Sequence, residues 1–383
     1  MKRLCVILCC LQTTVWAFGT RNGDVGLSYT RAAWTTPAGT FRVFPHMRFW
    51  GQAKEYIDPE TRYSSGNMIW DVHGAMALTY GFTDHVSVSL TPVVYQDVHQ
   101  GVREAVPWDT FLNFRAGSFS FSPQSHWSFG LDAGLRFPTG SKYNVIFEHY
   151  SAYAIEGGAT ACVSYAVDPL FPQESLHAHL NLGLWDYNEA GQVLVDNAAA
   201  VGAKAGENSQ AFRLAAGVSY PTELFDYQLE CYGNMFSMRP PAAAAGREDT
   251  WFLNATVVYK PKLWLQWISG IDIRLNHDRE TTVGARQIPS PLPNTPGWRV
   301  HTGIRITVLP LSVYSTTPRQ QLIQQAEEQR DLFERIISEE DDTEKMRKSL
   351  EQIQKERKEA EQSLEKVKEM LKKYRDKESS KQE

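Results

Sequence analysis

Between residues 40 and 309 apolar and polar residues alternate in twelve stretches, and the connectors between those stretches alternate in length. Trp127–Phe137 shows the first pattern most cleanly. Trp127, Phe129, Leu131, Ala133, Leu135 and Phe137 fall on one side, and Ser128, Gly130, Asp132, Gly134 and Arg136 on the other. A period of two marks a strand with two chemically distinct faces. The same split sets Trp70, Val72, Met76 and Leu78 against Asp71 and His73, and Leu180, Leu182 and Leu184 against His177, His179 and Asn181. It also sets Leu265, Trp267, Ile271 and Ile273 against Gln266, Asp272 and Arg274.

The short connectors are residues 81–84, 122–125, 167–174, 221–224 and 260–262, and the long ones run over about 52–67, 97–107, 138–148, 187–209, 237–249 and 276–297. A soluble sandwich also alternates, but has no reason to gather its tight turns at one end and its long loops at the other. A barrel inserted from the periplasm does. The expectation is an all-β transmembrane barrel of about 12 antiparallel strands over residues 40–309, in the bacterial outer membrane. An even count closes the wall without an edge in lipid and leaves both its ends in the periplasm. Aromatic belts fit this reading, with Trp70, Trp108, Phe137, Trp251 and Trp298 near the long-loop ends and Tyr80, Phe82, Trp127, Tyr220, Tyr259 and Trp264 near the short turns.

Residues 1–17 read as a signal peptide, with Lys2 and Arg3 before an apolar run and a small-residue site at Ala17. Residues 18–39 are open to three readings: a periplasmic arm, an inward plug, or extra wall strands. Of the five cysteines, Cys162 and Cys231 lie beyond the peptide and face opposite sides of the wall, which argues against a disulfide. With 39 basic and 44 acidic residues, neither the barrel nor the tail is basic enough to suggest nucleic acid.

The last strand carries His301, Gly303, Ile306 and Val308, which resembles the terminal pattern read by the outer-membrane insertion machinery. After a linker at 310–317 the composition turns to Glu, Lys, Gln and Leu. Thr317 as N-cap and Pro318 at the first helical position start a helix. Met346, Leu350, Ile353, Ala360, Leu364, Val367 and Leu371 then step by four and three along a coiled-coil seam, so residues 318–383 are expected to form a periplasmic helical tail. A single solvated helix is the alternative.

Phrases at 36–40, 80–84, 137–140 and 176–183 resemble a family of outer-membrane barrels named for the meta-pathway of phenol breakdown. The phrase at 36–40 is also similar to one in long-chain fatty acid transporters. These resemblances imply a transport channel, and for the second family an N-terminal plug. Neither family has a helical tail of this kind.

Inward positions carry Arg42, Arg48, Arg115, Arg136 and Arg213, followed by Arg274, Arg299 and Arg305. Against them stand Asp71, Asp132, Glu156, Asp226, Glu230 and Asp272, with His73, His177 and His179 among them. Twelve tilted strands enclose a cylinder about 24 Å across, so these side chains either line a narrow aqueous pore or pair across the lumen and block it. The phrase 149–152 lacks the amide that would orient a catalytic imidazole, and His177 with His179 reads as lining in preference to a metal pair. No enzyme, cofactor or metal site is expected. The expected partners are outer-membrane lipid, the insertion machinery, a small-molecule solute, and a periplasmic protein or cell-wall partner for the tail. Two functions follow: a passive channel or transporter for small molecules, or a structural anchor whose coiled coil binds that partner.

Overall fold

The alternation builds a continuous wall. The computed structural model describes residues 19–21, 23–57, 64–98, 102–103, 109–122, 124–140, 144, 146–169, 171–194, 204–283 and 293–314, with 351–352, 354–355 and 357–359 in the tail. The expected signal peptide, Trp108 and all seven seam residues lie outside these. The described tail residues are helical and exposed, and belong to a separate unit from residue 317 onward.

Among the described residues twelve strands form the wall. They are β1 (Phe41–Ile57), β2 (Ser64–Thr83), β3 (Val86–Val98), β4 (Thr110–Phe119), β5 (Trp127–Phe137) and β6 (Glu156–Ala166), then β7 (His177–Asp186), β8 (Gln210–Pro221), β9 (Phe225–Met238), β10 (Thr250–Lys262), β11 (Leu265–Arg274) and β12 (Trp298–Leu309). Each pairs antiparallel with its neighbour, and β12 returns to β1, with Val300 opposite Phe49 and Thr307 opposite Arg42. The sheet is closed. Residues 19–40 therefore add no strand to the wall. One connector differs from expectation: β1 and β2 stay paired out to Ile57 opposite Ser64, where residues 52–67 read as a loop. The alternation fades there because Gln52, Lys54, Ser64, Ser65 and Asn67 are polar, but a backbone ladder needs no apolar face once it has left the belt.

The faces are inverted relative to a water-soluble barrel. Leu180 is 58% exposed while its neighbour His179 is 4% exposed, and Leu131 is 53% exposed beside Asp132 at 1%. Outward positions are leucine, isoleucine, valine and aromatic rings, a surface suited to hydrocarbon. The interior is filled by arginines, carboxylates, histidines and hydroxyls. Cys162 is buried, Cys231 is half-buried, and both are free thiols.

Residues 23–36 run through the short-turn half of the lumen; Gly23–Val25 pairs antiparallel with Gly19–Thr20, and wall side chains take the place of strand partners for much of the rest. Asn181 accepts from Arg31 N at 2.6 Å and donates to Arg31 O at 2.7 Å. Glu230 accepts the N–H groups of Ser28, Tyr29 and Thr30 at 2.9, 2.9 and 2.6 Å. Arg115 donates to the carbonyls of Val25 and Ala32 at 2.5 and 3.2 Å, and its guanidinium lies 3.2 Å from Asp132. Ser164 Oγ accepts from Ala33 N at 2.7 Å, and Trp34 Nε1 donates to Ser128 Oγ at 3.1 Å. A buried backbone group without a partner costs about 1–3 kcal/mol, so these contacts decide whether an irregular segment can lie here at all.

Wall glycines make room for it. A Cβ on Gly117 would stand 2.3 Å from Ala33 O, and one on Gly81 would stand 2.1 Å from Pro37 O. Overpacking of this kind costs about 1–3 kcal/mol. Gly117→Val should therefore loosen the plug without opening the wall. Hydrogen exchange on the refolded protein should show the amides of 28–36 losing about tenfold or more of their protection while the strand amides keep theirs; unchanged plug protection would contradict the close approach.

A candidate functional site between plug and inward loop

At the long-loop end residues 146–152 fold into the lumen. Phe147 holds a left-handed φ of 67°, unusual for a bulky residue, and is fixed on both sides. Its ring packs on Trp50 at 5.0 Å between centroids, and its carbonyl accepts from Arg299 Nη2 at 2.7 Å. Glu148 forms an ion pair with Arg48, which also lies 3.5 Å from Asp71. Above it, Tyr150, Tyr187, Leu194, Phe236, Ala243 and Ala244 join a buried apolar cluster that ties three long connectors together.

Between this cap and the plug lies a chamber of about 290 Å³. The wall contributes His46, Arg48, His73, Arg136, Arg213, Tyr232 and Arg299; the plug contributes Arg21, Ser28, Tyr29 and Arg31; the connectors contribute Asp109, Glu148, His149, Tyr150 and Tyr187. Tyr29 stacks on Tyr232 with centroids 3.8 Å apart, and its hydroxyl donates to Asp272 at 2.5 Å. The guanidinium of Arg213 stands 3.7 Å from the Trp185 ring centre. Burial pushes the His149 imidazole down to about 3, Arg299 adding to the effect, so this ring is neutral at ordinary pH. Burial raises the Glu148 carboxyl, but Arg48, His73 and Arg299 outweigh it and hold the group below the usual carboxylate range.

The structure distributes the sequence-derived lumen residues among several tasks. Arg48, His73, Arg136 and Arg213 line the chamber. Asp71 backs Arg48, and Arg136 pairs with Asp109 and Glu156. Arg115, Asp132, Glu230 and Asp272 serve the plug. Arg42 and Arg305 are buried, with Arg305 Nη1 donating to Gln266 at 2.9 Å and its guanidinium 4.7 Å from the Phe44 ring centre. Arg274 sits at the long-loop rim, on Asp278 and Thr295 O at 2.5 Å each. His177 and His179 are packed edge-on against Trp34, with His179 Nδ1 2.7 Å from Ser164 Oγ. No group of three or more potential metal ligands occurs among the described residues. In β12, His301 and Gly303 are buried, while Ile306 and Val308 are half-buried.

Arg21, Tyr29, Arg31, Glu148, His149, Tyr150 and Tyr187 were not legible as chamber residues, since none lies on an alternating segment. The one available signal was a stretch before the first strand with Arg21, Asp24 and Arg31 in it, too polar for a lipid-facing strand.

No family model matches the chain, and no curated protein matches it. Solved structures similar in fold include the NanC porin, at 9% identity over 69% of this chain and 98% of that one, TM-score 0.44. An outer membrane channel from Pseudomonas putida F1 aligns at 10% identity over 74% of this chain and 100% of that one, TM-score 0.45. A TodX monoaromatic hydrocarbon channel mutant aligns at 11% identity over 76% and 97%, TM-score 0.37. Likenesses this distant carry no argument about function, and the fold stands on its own closed ladder.

The Glu148–Arg48 pair has a definite pH sign. A carboxyl held below its unfolded value stabilises above the usual carboxylate range, and that stabilisation is lost as pH falls through the lower folded value. Protection of the amides of 146–150, corrected for intrinsic exchange, should thus be unchanged between pH 7 and pH 5. Glu148→Gln removes a charge-assisted contact worth about 1.5–3 kcal/mol and should lower that protection about tenfold or more. A wild-type loss already at pH 5 would show that the pair does not hold the loop.

Proposed function

We propose that this protein is an outer-membrane channel for small molecules. The observation that carries the reading is the inverted wall: a closed ladder, apolar outside and polar inside, around a chamber of about 290 Å³. An apolar outer face with no unpaired edge is what hydrocarbon requires of a sheet. A polar lumen with a chamber is what a solute requires. Passage needs the plug or the inward loop to give way, and both are held by side-chain contacts and a few backbone hydrogen bonds instead of by membership in the wall. Full-length protein in planar bilayers should conduct ions, and proteoliposomes should admit small solutes. Truncation after Thr316 should leave that conductance intact, because the tail is a separate unit. A barrel that neither conducts nor admits solutes would refute the channel.

The orientation proposed with it places the short turns in the periplasm. Phe41 and Leu309 pair at that same end, near Tyr80, so the tail would leave the wall on the periplasmic side. Protease added to intact cells should then spare residues 317–383, and should cut them once the outer membrane is permeabilised. Cleavage in intact cells would reverse the orientation.

A further inference from the structure

The lining of the chamber is more basic than the interior around it. Six arginines face it, against Asp109 and Glu148. Three of the six are neutralised in place: Arg31 by Asp132 at 2.5 Å, Arg48 by Glu148 and Asp71, and Arg136 by Asp109 and Glu156. The others, Arg21, Arg213 and Arg299, have no carboxylate within ion-pair distance among the described residues. Arg21 Nη1 donates to Tyr29 Oη at 2.9 Å. Arg213 rests on the Trp185 ring and bonds Tyr187. Arg299 gives one N–H to Phe147 O, and its Nε is buried with no acceptor.

The buried carboxylates nearby act on these three only through space: Asp71 and Glu148, which reach Arg299, are in contact with Arg48, and Glu156, which reaches Arg213, is in contact with Arg136. Glu230 is turned to three plug N–H groups, and Asp272 to Tyr29 Oη and to Asn254 Nδ2 at 2.7 Å. Guanidinium groups with no carboxylate in direct contact, in a narrow, partly desolvated space, favour an oxyanion, which their planar fork matches. Phe111, Leu214, Ala215 and Tyr232 add apolar lining beside them. The volume lies near the lower end of pockets that hold small organic ligands.

We propose that the chamber is a selectivity site for small organic anions, receiving a carboxylate or phosphate group among Arg21, Arg213 and Arg299 and the carbon body against the adjoining aromatic and aliphatic lining. The transport half of this statement rests on the channel reading; the binding half does not.

Two measurements on the full-length protein separate the halves. In bilayers under a KCl gradient, the reversal potential should show preference for chloride over potassium, and benzoate should reduce the chloride current. Arg213→Gln with Arg299→Gln should abolish the preference, whereas Lys at both positions should retain it and so control for folding. In detergent, calorimetric titration should show benzoate bound about tenfold or more tighter than benzyl alcohol, with the double Gln variant losing that margin. Titration with inorganic phosphate distinguishes the headgroups: tighter benzoate binding assigns a carboxylate with an organic body, and equal binding assigns an oxyanion site indifferent to the body. A conducting channel with cation preference or none would overturn the inference and leave the channel standing. No conductance with retained benzoate binding would sink the channel and keep the site. Equal binding of benzoate and benzyl alcohol would sink the site.

Discussion

Every backbone N–H and C=O in the wall must find its partner inside the wall, because the face turned outward offers none. From that constraint the rest follows. A sheet with an open edge would leave a row of such groups unpaired against an apolar surround, at several kcal/mol each, so β12 must return to β1. Once the sheet is closed, alternation leaves only one place for polar side chains, and Asp132, Glu156, Glu230, Asp272, Arg115 and Arg299 are all turned into the lumen. The interior is thus a consequence of the ladder. It is polar because the other face cannot be.

That interior creates a second demand of the same kind. Charged side chains withdrawn from bulk water need partners, and the plug needs partners for a backbone that lies outside the wall ladder. Each deficit answers the other. Glu230 has no cation within ion-pair distance among the described residues, yet its two oxygens take three consecutive plug N–H groups. Arg115 carries more donors than Asp132 alone can accept, and the surplus goes to plug carbonyls. The amide of Asn181 meets both backbone groups of Arg31, as a neighbouring strand would. The segment is held as firmly as a strand at single points. It still belongs to no wall strand: apart from Ser118 N, which donates to Ala33 O at 2.8 Å, those points are wall side chains.

The wall was legible in the sequence because one rule generates it. Trp127–Phe137 alternates without interruption, and once the connector lengths are read, strand number and closure follow from parity. The β1–β2 hairpin reads too short in the sequence for the converse reason: the rule tracks the apolar face, and the ladder outlasts that face. The chamber was legible only in part. Alternation can place Arg48 and Arg136 on the inner side, but the depth of a residue along the axis, and what crosses the lumen to meet it, depend on segments with no period. Glu148 is one residue after Phe147 in a connector of no particular pattern, and nothing in its neighbours foretells that it will reach Arg48. Arg115 and Glu230 looked like pore lining for the same reason. Without the plug's path, a side chain that lines a channel and one that clamps a backbone have identical sequence signatures.

The sign of the chamber illustrates how far this goes. Counted along the strands, inward arginines and carboxylates nearly balance, and either an open mixed-charge pore or a paired, blocked one would fit that count. The count misleads because it weights every charge equally. Asp132 and Glu230 are spent on the plug, Glu156 and Asp109 on Arg136, and Asp71 and Glu148 on Arg48. What faces the remaining space is the residue of that pairing, and it includes Arg213 on a tryptophan face and Arg299 with an N–H that has no acceptor. An unpaired guanidinium in a confined space presents a far stronger field than a paired one, since a counter-ion a few ångströms away cancels most of it. The plug and the inward loop therefore do more than narrow the lumen. By choosing which carboxylates are occupied, they set the charge that faces the chamber.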